Sequence, residues 1–316
     1  MNRFIPPFPL AFSSPAKINL FLAVTQRRSD GFHDLVSVAA PLVWGDTLTV
    51  TPAPEFTLEC NDPAVPTDES NLVLKAARAF RAESLWQGGA HFRLGKRVPM
   101  GAGLGGGSSN AVAALRALNR MADQALSEPA LAGLAAKLGS DCALFLQAKP
   151  VIMRGRGERI EPLPPPAAAR LSNRRILVFK PSFGITTPWA YAQLAAQGAK
   201  PGPAISSGSG AAPRGYLPAV EAEARLAAWI GDEEAPAEKL LFNSFESVAF
   251  AKYPALPALL EALRADFGLA VGMSGSGSAC FALLPENSPE EKVAEIRTAI
   301  RAAWGEEMMV IETSLA

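Results

Sequence analysis

The sequence predicts an α+β fold in two domains. Strand-like and helix-like segments follow one another without the repeated strand-helix-strand units of a doubly wound sheet. A length of 316 residues, 49% of them hydrophobic and 19% charged, is enough for about two cores. The proline-rich run Pro162-Leu-Pro-Pro-Pro-Ala-Ala-Ala169 interrupts the pattern and places the boundary between domains 1–168 and 169–316.

Residues 16–25 alternate, with Lys17, Asn19 and Phe21 on one face and Ile18, Leu20 and Leu22 on the other, which is strand spacing. Further strands are predicted at 46–51, 56–60 and 90–94, with a helix over 71–83. A glycine-rich run opens a helix reaching about Met121, and a second helix runs from a Ser127 cap to a terminating Gly139. The apolar run Cys142-Ala-Leu-Phe-Leu146 then reads as a strand, which sets Asp141 at a helix-to-strand corner. Past the proline run, Arg175–Phe179 is a strand and Thr187-Pro188 begins a helix in cap-then-proline order. Residues 199–215 are rich in Gly, Ser and Pro and read as a mobile loop. Helices at 217–229, 240–252 and 255–266 follow. The chain closes with a strand at 269–273, the turn Ser274-Gly-Ser-Gly-Ser278 and a strand at 279–284. A helix opened by the capping box Ser288-Pro-Glu-Glu291 and a strand at 308–312 complete it.

Composition excludes several classes. Thirty basic residues balance thirty acidic ones, so no net charge draws the chain to nucleic acid or to an anionic membrane. No segment is long and apolar enough to span a bilayer. The first twelve residues resemble a secretory leader in having one positive charge among apolar residues, but three prolines break them up. Cys60, Cys142 and Cys280 form no paired motif, which fits a reducing, cytoplasmic setting. The chain is expected to act on a small molecule as a monomer or weak homodimer.

Chemistry concentrates in Pro99-Met-Gly-Ala-Gly-Leu-Gly-Gly-Gly-Ser-Ser109. Five glycines in seven positions, Gly101, Gly103, Gly105, Gly106 and Gly107, let backbone approach a ligand closely around Ala102 and Leu104. The helix that starts there presents unpaired amides to phosphate oxygens. Gly101-Ala-Gly103-Leu-Gly-Gly106 also satisfies the dinucleotide fingerprint, with Asp123 about twenty residues on. Asp123 follows a helix, however, and not a second parallel strand. A Walker loop needs a lysine where Ser108 and Ser109 stand, and the protein-kinase motifs are absent.

Three segments, Pro15-Ala-Lys-Ile-Asn-Leu-Phe-Leu22, the glycine loop, and Gly272-Met-Ser-Gly-Ser-Gly-Ser-Ala279, together resemble the signature segments of the GHMP kinases, named for galactose, homoserine, mevalonate and phosphomevalonate. Within that family, Ser29-Asp-Gly-Phe-His-Asp-Leu35 and Leu138-Gly-Ser-Asp141 resemble the member whose alcohol substrate carries a cytidine diphosphate group. The resemblance implies the GHMP kinase fold, a ribosomal protein S5 domain 2-like N-terminal domain with a ferredoxin-like C-terminal one, and a site in the cleft they form.

It also implies roles. Asp141 would take the proton of the attacking hydroxyl, and Lys17 would face the phosphates. ATP would lie on Pro99, Met100 and the loop through Ser109, with Ser274, Gly275 and Ser276 adding amides or supporting that loop. Asn19, Phe32, His33, Thr187 and Tyr191 would hold the substrate, His33 reading the cytosine edge and Tyr191 stacking on the base. The family residue at that last position is usually phenylalanine, and Trp189 is a rival for the stacking. Mg²⁺ is implied by ATP, with Ser109 as a hydroxyl ligand. Homoserine or mevalonate kinase, or a non-catalytic nucleotide-binding relative, are the alternatives. His91 has no comparable neighbourhood and reads as strand surface.

Overall fold

A computed structural model describes residues 9–84, 86–122, 124–198 and 215–316. The start of the chain before residue 9, Asp123 and, but for Gly215, the loop expected at 199–215 lie outside the described residues. The chain divides into two compact units: Met1–Ala16, Trp44–Met100 and Gly105–Ala148 form the first, and Lys17–Val43, Gly101–Leu104 and Lys149–Ala316 the second. Two long strands, β1 (Leu10–Arg27) and β2 (His33–Ala53), contribute to both.

In the first unit the later half of β2 pairs antiparallel with β4 (Gly89–Gly95), from Thr47 opposite Gly95 to Ala53 opposite Gly89. β3 (Thr57–Cys60) runs parallel to β4. His91 lies half-buried on β4, its Nδ1 2.8 Å from the Thr57 hydroxyl. Helix α1 (Leu72–Glu83) is capped by Asn71, whose side chain accepts from Val73 N, and it buries Val73, Ala76, Ala77 and Phe80 at helical spacing. Helix α2 (Gly106–Met121) buries Ala111, Ala113, Ala114 and Ala117 as well as Val112, Leu115 and Leu118. A helix enclosed on nearly every side favours such small residues. Helix α3 (Glu128–Leu138) starts at the predicted cap, Ser127 Oγ accepting from Ala130 N.

The run 142–146 is not a strand. Residues Ala143–Leu146 form a 3₁₀ turn, with Phe145 N donating to Cys142 O at 3.0 Å and Gln147 N to Leu144 O at 2.9 Å. A short apolar run marks burial without fixing the backbone state.

In the second unit β5 (Val151–Gly155) pairs antiparallel with the first half of β2, and β6 (Arg159–Pro162) pairs with β5. The proline run, expected only as an interruption at the domain boundary, contains helix α4 (Pro165–Ala169). Pro165 stands in its first turn, where no amide donor is needed. β7 (Arg175–Lys180) is followed by α5 (Thr187–Gly198) and α6 (Ala219–Gly231). The single helix expected over 240–252 is broken. A 3₁₀ turn at Ala237–Leu240 precedes the two-residue strand β8 (Phe242–Asn243), and α7 (Glu246–Lys252) begins only after it. Phe242 pairs with Phe21 on β1, and Asn243 Oδ1 accepts from Phe245 N at 2.9 Å, so tertiary pairing overrides helix propensity here.

Helix α8 (Ala255–Phe267), β9 (Ala270–Met273), β10 (Cys280–Leu283), α9 (Glu290–Trp304) and β11 (Met309–Ser314) complete the unit. The last sheet runs β11-β7-β10-β9, antiparallel throughout. The predicted capping box does not form. Ser288 Oγ donates to Pro285 O at 2.9 Å, and α9 starts one residue later, after Pro289.

Candidate active site

In the second unit, β1 carries Lys17 and Asn19 on one face, both buried. Lys17 Nζ donates to Asn19 Oδ1 at 2.6 Å, Asn19 Nδ2 to Ser37 Oγ at 2.9 Å, and Ser37 Oγ to Phe21 O at 2.6 Å. This chain of donors fixes the orientation of the Asn19 amide and gives the ammonium a set position. Lys17 N also donates to Leu104 O at 3.0 Å, tying β1 to the glycine loop.

The two glycine-rich segments interlock in this unit. Ser274 Oγ donates to Gly103 O at 3.1 Å and accepts from Asn19 N at 3.3 Å, while Ala279 N donates to Ala102 O at 3.1 Å. A Cβ on Gly103 would lie 2.1 Å from Ser274 O, and one on Gly275 would lie 2.9 Å from Gly103 O. Both glycines have positive φ, 76° and 58°, so backbone meets backbone where no side chain fits. Of the two roles open to the Ser274–Ser278 turn, support of the first loop is visible in these contacts. Gly275 and Met273 are fixed in turn by Asn243, whose Nδ2 donates to Met273 O at 2.7 Å and to Gly275 O at 2.8 Å.

Glu246 Oε1 accepts from Met273 N at 2.9 Å. Burial pushes its carboxyl up to about 7, against the pull of that hydrogen bond and of Arg264. With the folded value above the unfolded one, stability from this group is complete below about pH 4.5 and is lost as pH rises through about 7. Glu246→Gln keeps an acceptor for Met273 N and removes the charge. It is expected to gain stability over wild type, on the order of 3 kcal/mol, between pH 5 and pH 8, measured by paired thermal melts. A difference that does not change with pH means the carboxyl is not titrating there.

Also in this unit, the His33 ring stacks on Tyr191 with centroids 4.6 Å apart and planes 27° from parallel, and Tyr191 meets Phe245 edge-on at 4.8 Å. Trp189, the rival, turns the other way on α5, edge-on to Tyr253 with the Lys252 ammonium 4.3 Å above it. Phe32 is 53% exposed, with the Arg156 guanidinium 4.7 Å from its ring centre. Thr187 Oγ1 lies 3.0 Å from Ser276 Oγ, linking the start of α5 to the second glycine segment. The sequence reading missed Tyr216, whose hydroxyl is 3.0 Å from His33 Nε2. Burial lowers the His33 pKa, and nearby Arg27 adds to the shift.

The first unit holds the other named residues. Gly105 caps α2 with φ of 71° and offers no side-chain acceptor, and no acidic residue occupies the first turn. The amides there, unlike those of α1 and α3, have no side-chain cap. Met100 at the loop's entry is exposed. Behind the loop, buried Asp46 accepts from Arg97 N at 2.6 Å, Val98 N at 2.7 Å, Lys96 Nζ at 2.7 Å and Asn110 Nδ2 at 2.9 Å. The Lys96 ammonium stands 3.1 Å from where a Gly106 Cβ would be, another positive group at the start of α2 that no local pattern announced.

Asp141 follows α3 in a turn closed by Cys142 N donating to Gly139 O at 3.1 Å, and a 3₁₀ turn, not a strand, comes after it. Cys142 Sγ and Ser108 Oγ lie 3.3 and 4.0 Å from where a Gly139 Cβ would be, which brings the Asp141 turn next to the first turn of α2. Burial pushes that thiol up to about 11. Ser109 Oγ is buried and has no hydrogen-bond partner among the described residues. Such an orphaned hydroxyl beside a phosphate-type loop fits a ligand of a phosphate-bound Mg²⁺. No cluster of three acidic, histidine or cysteine side chains suited to a metal occurs among the described residues, so the phosphates and water would supply the rest.

The model of the GHMP kinase N-terminal domain matches residues 71–149, and that of the GHMP kinase C-terminal domain matches 219–306. The chain is 38% identical over 281 residues to the 4-diphosphocytidyl-2-C-methyl-D-erythritol kinase of Salinibacter ruber, covering 89% of this chain and 92% of that one. It is 35% identical over 305 residues to the enzyme of the same name from a Synechococcus strain, covering 93% and 94%. A crystal structure of 4-(cytidine 5'-diphospho)-2C-methyl-D-erythritol kinase superposes with a TM-score of 0.70 at 33% identity, over 97% of this chain and all of that one. Homoserine kinase from Cytophaga hutchinsonii shares the fold at a TM-score of 0.66 and 17% identity, over 99% and 98%. Two matched domains and relatives aligned over nearly the full length place this chain in the GHMP kinase family of small-molecule kinases.

Proposed function

We propose that the chain transfers the γ-phosphoryl group of ATP to the 2-hydroxyl of 4-diphosphocytidyl-2-C-methyl-D-erythritol, a step of the non-mevalonate route to isoprenoids. The stacked pair His33–Tyr191 is the observation that carries the substrate reading. A flat base finds an aromatic face and a hydrogen-bonding edge there, whereas a homoserine or mevalonate site has no use for them.

The hydroxyl oxygen attacks the γ-phosphorus, its proton passes to the Asp141 carboxylate, and the bond to the ADP oxygen breaks. Phosphoryl transfer has a loose transition state, so positioning and charge neutralisation outweigh base strength. Lys17, set by Asn19, supplies positive charge. The amides of Gly105–Ser109 hold phosphate oxygens, and Ser274–Ser276 keep the neighbouring glycines in shape. Ser109 would hold Mg²⁺, whose charge would offset that of the phosphates. The enzyme is cytoplasmic in this reading, in keeping with the free thiols Cys60, Cys142 and Cys280. No helix among the described residues is long and apolar enough to cross a membrane.

The test is ADP release with ATP, Mg²⁺ and each candidate alcohol. Turnover on the cytidine diphosphate substrate, inhibited competitively by CMP, is expected. Turnover on homoserine or mevalonate that CMP leaves untouched overturns the substrate, and ATP binding without turnover on any alcohol overturns the catalytic reading.

A further inference from the structure

We infer that Tyr216 fixes the tautomer of His33 and thereby makes the site prefer cytosine to uracil. This deepens the cytidine reading proposed above and rests on it.

The imidazole is held on two sides. Tyr191 covers its face at 4.6 Å, and the Tyr216 hydroxyl meets Nε2 at 3.0 Å, the two rings inclined by 42°. Tyr216 is itself anchored, because buried Leu217 follows it and donates its amide to Val24 O on β1 at 3.0 Å. Nδ1 is the ring nitrogen with no hydrogen-bond partner among the described residues, and so the one available to a ligand.

Both groups are neutral near pH 7. Burial, reinforced by Arg27, lowers the imidazole pKa, and burial raises the phenol's, with Arg27 opposing. A neutral phenol and a neutral imidazole share one hydrogen bond, which could run either way. The phenol O–H is far more acidic than an imidazole N–H, and the ring nitrogen's lone pair is a better acceptor than a phenol oxygen. Tyr216 therefore donates to Nε2, and the ring proton sits on Nδ1. The ligand then meets a donor. Cytosine offers its N3 lone pair to that donor, whereas uracil sets an N3–H against it.

Tyr216→Phe removes only the hydroxyl. The chain has two histidines, His33 and His91, so ¹⁵N spectra of the imidazoles are readily assigned with a His91→Gln reference. In the wild type, His33 is expected to show a pyridine-like Nε2 and a pyrrole-like Nδ1. In Tyr216→Phe the proton shifts toward Nε2. The kcat/KM preference for the cytidine over the uridine form of the substrate is expected to fall about 3- to 10-fold, one neutral hydrogen bond's worth, through KM with kcat unchanged.

A pyrrole-like Nε2 in the wild type overturns the inference, as do spectra that the variant leaves unchanged. An equal rise in KM for both substrate forms also overturns it, since mere loosening would do that. The wild-type spectra decide the matter even if the variant folds poorly. Absence of wild-type turnover on the cytidine substrate, by contrast, strikes at the proposed function and leaves the tautomer to be read from the spectra.

Discussion

Asp141→Ala is expected to lower kcat by about 100-fold or more, the range of a lost general base, while the KM for ATP stays within a few-fold. The residue sits in a turn closed by the Cys142 amide on Gly139 O, and that turn lies against the first turn of α2, with Ser108 Oγ 4.0 Å from the Gly139 Cβ position. Its carboxyl is thus carried by rigid backbone next to the amides assigned to phosphate. Because the transition state is loose, much of the rate comes from placement, and residual turnover should survive. Asp141→Asn separates the two contributions, since it keeps the shape and removes the proton acceptor. The measurement is ADP release from variants whose melting curves match wild type. Near-wild-type turnover in Asp141→Ala would remove the base role from this residue.

Gly103→Ala is expected to impair both stability and ATP binding. Its Cβ would lie 2.1 Å from Ser274 O and 3.1 Å from Gly277 N, so the obstacle is backbone that no rotamer change can move aside. The φ of 76° alone costs an alanine about 1–2 kcal/mol. Separation of the two glycine segments adds to that cost, loosening the hydrogen bond from Ser274 to Gly103. A fall in Tm of several degrees and a rise in the ATP dissociation constant of more than about tenfold, equal to 1.4 kcal/mol, are expected. Gly101→Ala is the control. Its φ is 62°, yet nothing stands within 4 Å of its Cβ, so it isolates the dihedral strain. Equal effects of the two substitutions would show that the interlock contributes nothing.

Much of the fold was legible because its signals are local. The alternation over 16–25 marks β1, the spacing of Val73, Ala76, Ala77 and Phe80 marks α1, and the glycine loop marks the start of α2. The sequence reading failed where a long-range partner decides. Phe242 leaves a helix pattern because Phe21, far away in the chain, pairs with it. Cys142–Leu146 signals burial but not the 3₁₀ turn that the chain takes on entering it.

In the site, Trp189 and Tyr191 could not be separated by spacing. Two residues apart on a helix they point in nearly opposite directions, and only the surroundings show which one meets His33. Tyr216, 183 residues from His33, and Asn243, about 30 residues from Met273 and Gly275, had no pattern to announce them.

The thiol beside Asp141 has a practical side. Burial disfavours the Cys142 thiolate, the form with which oxidants and alkylating agents react. Sulfur thus sits next to the residue assigned to proton transfer as a buried thiol held in its less reactive form.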